Sequence, residues 1–172
     1  MWPFSKKKNE NEGDTFTVVT LGEATEDGST KAATILSLEE IEALEWNFPG
    51  EAVAGHFVED VVEPGSFRPN EVFVNFMHHV IETTGPEDPD LIEAAQGVES
   101  GALYIIDLRT PEGPDGDVAG EDIIGAFAVK SGQITADSYR INESHQTYTE
   151  HGLVQLPDSL KEAFVQALAQ IA

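Results

Sequence analysis

The sequence contains no cysteine. That excludes disulfides, thiol catalysis and zinc or iron–sulfur sites built on thiolates. It is also short of positive charge. Six lysines and three arginines face 21 glutamates and 11 aspartates, a formal charge of −23. Nucleic-acid binding runs on phosphate neutralisation, so no nucleic-acid partner is expected. The same charge disfavours stable association with an anionic membrane. No stretch approaches the ~20 apolar residues of a spanning helix. The opening Met1-Trp2-Pro3-Phe4-Ser5 precedes Lys6-Lys7-Lys8. A secretory signal has the opposite order, so the expected location is the cytoplasm. Trp2 and Phe4 with the three lysines could at most touch a lipid interface, because one short anchor binds only marginally. Nucleotide signatures are missing: no Gly-x-x-x-x-Gly-Lys and no Gly-x-Gly-x-x-Gly after a strand. A Gly-x-Ser-x-Gly elbow is missing too. No cofactor is expected.

What remains is a globular composition. The chain has 172 residues, 40% hydrophobic and 24% charged, and a body this size buries roughly 70% of its extended surface. Residues 1–15 read as a flexible tail and 16–172 as a single α+β domain. Phe16–Thr20 is rich in β-formers, Gly22–Thr30 is turn-rich, and Ala32–Leu36 is a further strand candidate. Ser37 with Glu40 forms a capping box for a helix to about Asn47, whose stripe of Leu38, Ile41 and Leu44 is interrupted by Glu45 and implies shallow burial. Pro69-Asn70 opens the clearest amphipathic helix, to about Thr84. Its apolar face is Val72, Phe73, Phe76, Met77, Val80 and Ile81, and its polar face holds Glu71, Asn75, His78, His79 and Glu82. Asp88 caps a third helix that Pro89 opens and Gly97 ends.

The character changes after Gly101. Ala102–Arg109 and Ile123–Lys130 read as strands separated by a Gly/Pro/Asp-rich loop. Ser131-Gly132 is a hairpin turn, Gln133–Arg140 returns antiparallel, and Gly152–Leu156 adds a strand. A last helix starts at Pro157-Asp158-Ser159, with Leu160, Phe164, Ala167, Leu168 and Ile171 on one face. The fold class is α+β: an antiparallel sheet, mostly a C-terminal meander, with about four helices packed mainly on one face.

Three residue groups invite chemistry. His78, His79 and Glu82 are metal-ligand types on one helix, but adjacent histidines point about 100° apart, and the spacing matches neither His-Glu-x-x-His nor Glu-x-x-His. A solvated polar face explains them more simply. Asp115-Gly116-Asp117-Val118-Ala119-Gly120-Glu121-Asp122 starts like a calcium loop, yet position five is Ala119 and position twelve Ala126, where the bidentate carboxylate belongs. An acidic hairpin loop is the simpler reading, and weak calcium or sodium binding is left to the acidic surface outside any such loop. Asp107, Arg109, Arg140 and His145 come from neighbouring segments and could form an acid/base cleft. Otherwise they are ion pairs, since each of Arg68, Arg109 and Arg140 should find a carboxylate. Ser144 beside His145 is no triad, because triads are assembled in space.

The acid excess is diffuse. Eight acids and no base lie between Lys31 and Arg68, and eight more between Arg68 and Arg109. Salt adaptation, a docking face for a basic protein and mimicry of a phosphate backbone all account for such a surface. The leading expectation is a non-enzymatic accessory or regulatory protein, an inhibitor or immunity type being one form. It would dock a basic partner through Glu39, Glu40, Glu42, Asp115, Asp117, Glu121 and Asp122. The alternatives are a small hydrolase or ligand-binding domain built on Asp107, Arg109, Arg140 and His145, and a salt-adapted protein with weak divalent-metal binding. Composition does not fix the oligomeric state.

Overall fold

The computed structural model describes residues 5–7, 16–21, 30–45, 47 and 49–171, the side chains of 5–7, 20, 21, 30 and 60 excepted. The chain begins with β1 (Ser5–Lys7), β2 (Thr17–Leu21), β3 (Thr30–Thr34), α1 (Leu38–Ala43), β4 (Gly55–Phe57) and β5 (Phe67–Pro69). Then come α2 (Glu71–Thr84), α3 (Pro89–Val98), β6 (Gly101–Ile106), β7 (Ile123–Lys130), β8 (Gln133–Ile134) and β9 (Arg140–Ile141). The hairpin β10 (Tyr148–Thr149) and β11 (Gly152–Leu153) precedes α4 (Asp158–Ile171). The fold is α+β, with four α-helices and antiparallel strand pairing among the described residues. Two compact units divide it: Met1–Phe76 with Thr147–Val154 and Val165–Ala172, and Met77–Gln146 with Gln155–Phe164.

The first unit carries a five-stranded sheet in the order β1-β2-β3-β4-β5. The larger sheet is therefore N-terminal, and the C-terminal meander is the smaller one. β4 and β5 have three residues each, too few to display alternation in the sequence. Phe57, Phe67 and Tyr148 pack ring on ring, Phe57 lying 5.3 Å from Phe67 and 5.4 Å from Tyr148. Within the segment expected as a tail, Ser5–Lys7 pairs with Val18–Thr20. Trp2, Phe4 and Lys8 of the lipid-touch reading lie outside the described residues, as do positions 22–29 of the expected loop.

The capping box of α1 is formed. The Glu40 amide donates to Ser37 Oγ (3.2 Å) and the Ser37 amide to Glu40 Oε2 (2.7 Å). The helix ends at Ala43, short of Asn47, because Glu45 adopts a left-handed φ of 55°. Ile41 and Leu44 are buried, deeper than the interrupted stripe implies.

The buried arc of α2 is rotated from the expected one. Phe73, Met77, Val80 and Ile81 are buried, but Val72 is 51% exposed and His78 only 5%. On a wheel with Val72 at zero, the four core residues cluster around about 130°, so His78 at about 240° is nearer the centre of burial than Val72. Asp88 caps α3 as expected, accepting from the Asp90 and Leu91 amides at 3.0 and 3.1 Å.

In the second unit the sheet runs β6-β7-β8, with β9 also paired to β7. Ser131 and Gly132 take φ of 53° and 71° and turn the hairpin, as the sequence suggests. The expected single return strand is split in two. Ser138 Oγ accepts from the Ala128 amide (3.0 Å), so a loop side chain takes one rung of the ladder. In α4, Leu160, Phe164 and Leu168 are buried, while Ile171 is exposed.

Candidate functional site

The chain leaves β6 through a register shift at Ile105/Ile106 and re-enters the sheet at Ile123. Between them lies a loop whose two ends meet at a buried ionic neck. The Asp107 amide donates to Asp122 O (2.8 Å). Arg109 Nε reaches Asp122 Oδ1 at 2.9 Å and Asp107 Oδ2 at 3.4 Å. Arg109 Nη2 donates to Glu121 O at 3.0 Å and to Gln146 O. Asp107 Oδ1 accepts from the Gln155 and Arg109 amides (2.8 and 3.2 Å), and its Oδ2 lies 3.0 Å from His145 Nε2. The side chains of Asp107, Asp122, Arg109 and His145 are 0%, 1%, 2% and 4% exposed. Buried charges persist when they are paired, and here Arg109 stands against both Asp107 and Asp122.

Above the neck the loop folds through successive turns. The Gly113 amide donates to Thr110 O, the Gly116 amide to Gly113 O, and the Asp117 amide to Glu112 Oε2, each at 3.1 Å. Glu112, Asp115 and Asp117 stand exposed and Glu121 is half-buried. Asp122, expected as a surface acid for a partner, is buried in the neck. The reason is Arg109: its guanidinium sits inside and requires two carboxylates there.

Of the four acid/base candidates, three converge and one does not. Asp107, Arg109 and His145 share the neck, whereas Arg140 is exposed on β9 opposite Ala126. Nor does every arginine find a carboxylate. Among the described residues Arg140 has no ion pair, and Arg68 donates to the carbonyls of Gly65 and Phe67. The Thr110 hydroxyl is buried without a hydrogen-bond partner.

The metal candidates part company. His78 turns inward, its Nδ1 2.7 Å from Tyr139 Oη, while His79 and Glu82 are exposed. Burial, and secondarily the neighbouring His145, lower His78 from 6.5 to about 4. Burial and the Glu82 carboxylate push the Tyr139 phenol well above its usual range. Histidine and phenol are therefore neutral partners sharing one proton. Among the described residues no three His, Asp or Glu side chains are placed to hold an ion. On α1, Glu39 and Glu42 are exposed, but the Glu40 carboxylate is engaged in the capping box.

Sequence reasoning missed Tyr139 and the backbone groups of Gln146 and Gln155. The signal for Asp122 was present: an arginine in Asp-x-Arg at one end of a polar loop, and an aspartate at the other. No family model matches this chain, no curated protein is similar to it, and no solved structure matches it.

Proposed function

We propose that this chain is a non-enzymatic accessory protein, placed in the cytoplasm, that docks a basic protein partner through the acidic loop at 110–119. One observation carries the reading. A buried Asp107–Arg109–Asp122 neck fixes the base of a loop whose Glu112, Asp115 and Asp117 face solvent. Ordering these carboxylates beforehand lowers the entropic cost of association. The net charge of −23 steers a basic partner and repels nucleic acid. Support for acid/base chemistry is thinner. Asp107 and His145 have the spacing of a general-base pair, but both are sealed from solvent and Arg140 stands apart.

The test is affinity capture with tagged protein, alongside a Glu112→Gln/Asp115→Asn/Asp117→Asn variant. The expected catch is basic proteins, held at about 50 mM salt and released by about 0.5 M. The variant should retain at most a tenth as much. Capture of non-basic proteins, indifferent to both salt and variant, would overturn the reading.

A further inference from the structure

A recess of about 530 Å³ opens elsewhere in the second unit, lined by Gln96, Glu99, Ser100, Ser131, Gly132 and Gln133. It lies where the C-terminus of α3 meets the β7–β8 turn. The helix does not end in an ordinary cap. Glu99 takes φ 62° and ψ −64°, the rare strained form of the three-residue turn. The Ser100 amide accordingly donates to Val98 O (2.8 Å) instead of continuing the ladder to Gln96 O. The Gly132 amide donates to Glu99 O at 2.7 Å and pins the turn.

Three consequences share one sign. Among the described residues the Gln96 carbonyl accepts no hydrogen bond. The last turn of α3 has no basic residue to offset the negative end of its dipole. The Glu99 side chain is exposed and has no ion pair among the described residues. The recess is lined as well by Gln96, Ser100, Ser131 and Gln133, whose side-chain amides and hydroxyls can each offer an oxygen. The recess is open to solvent, its lining side chains exposed, so it can take the end of a small or extended ligand and not enclose a whole one. A single carboxylate is too few for calcium, which draws on several. An anion would face the helix's negative end and a net charge of −23.

We propose that this recess binds a primary alkylammonium group, with the ammonium against Glu99 and the end of α3. Its three N–H donors match the carboxylate and the surrounding oxygens. The alkylammonium comes from a free polyamine or from a lysine side chain of another protein. The site uses none of the loop acids and stands apart from the docking proposal.

The experiment is amide NMR on the ¹⁵N-labelled full chain at constant ionic strength, titrated with 1,5-diaminopentane, with Nα-acetyl-lysine N-methylamide and with 1-pentanol. Expected are saturable shifts at Ser100, Gly132 and Gln133 with both amines and none with the alcohol. Glu99→Gln should weaken binding at least tenfold, and Glu112→Gln/Asp115→Asn/Asp117→Asn should leave it unchanged. The tighter of the two amines identifies the source. Shifts spread without saturation over the acidic surface, equal shifts with pentanol, or wild-type binding by Glu99→Gln would overturn the proposal. None of these outcomes bears on the loop, whose own variant tests it.

Discussion

Arg109 holds three segments with one side chain: the exit from β6, the entry to β7 and the stretch at Gln146. Removing it leaves Asp107 and Asp122 buried without the guanidinium that pairs with both. Arg109→Met should therefore cost about 3–5 kcal/mol, read as a fall in the urea midpoint. Asp122→Asn keeps a hydrogen-bonding oxygen and should cost less. His78 makes a different prediction. Its folded value of about 4 lies below the free value of 6.5, so between those limits the unfolded chain binds the extra proton. Stability is full above pH 6.5 and falls as pH drops toward 4, by on the order of 2 kcal/mol. In His78→Gln that part of the pH dependence should vanish. Denaturation curves of the two proteins from pH 4 to 7 measure the difference, and parallel profiles would refute the assignment.

At the scale of elements, caps and close approaches decide. Asp88 bonds two amides that α3 would otherwise leave unmet, so Asp88→Ala should cost about 1 kcal/mol in a thermal melt. Gly125 sits where β7 pairs with β9. A Cβ there would lie 2.6 Å from Tyr139 Oη and 2.7 Å from Arg140 O. Gly125→Ala should push Tyr139 off His78 and loosen β9, costing about 1–3 kcal/mol. Loss of the β7–β9 amide protection in hydrogen exchange would check it. The caps at Ser37 and Asp88 and the turn at Ser131-Gly132 were legible because each is satisfied by residues within a few positions. β4, β5 and the split of the return strand were not. Three-residue strands carry no periodicity, and the Ser138 rung depends on a partner ten residues away.

At the scale of the whole molecule, a charge of −23 opposes compaction at low ionic strength. Raising salt from about 20 mM should raise Tm by several degrees, with most of the gain by about 0.2 M, where screening is already short-ranged. Calorimetry across that range tests it. A Tm that keeps climbing through molar potassium chloride would instead mark adaptation to a saline environment. Association with a basic partner should weaken over the same range in which stability rises, because one screening length governs both.

The amino-acid order by itself determined the α+β class, the helix starts at Ser37, Asn70 and Asp88, the hairpin at Ser131-Gly132 and the surplus of carboxylate. Each follows from local hydrogen bonding, periodicity or simple counting. Only the tertiary structure decided which acids are surface and which are structure. Asp115 and Asp117 face water while Asp122, a few residues on, is buried against Arg109. It likewise drew His78 off the polar face of its helix to Tyr139, 61 residues away. Burial depends on what packs against a side chain from distant parts of the chain, and the pattern of its sequence neighbours does not contain that.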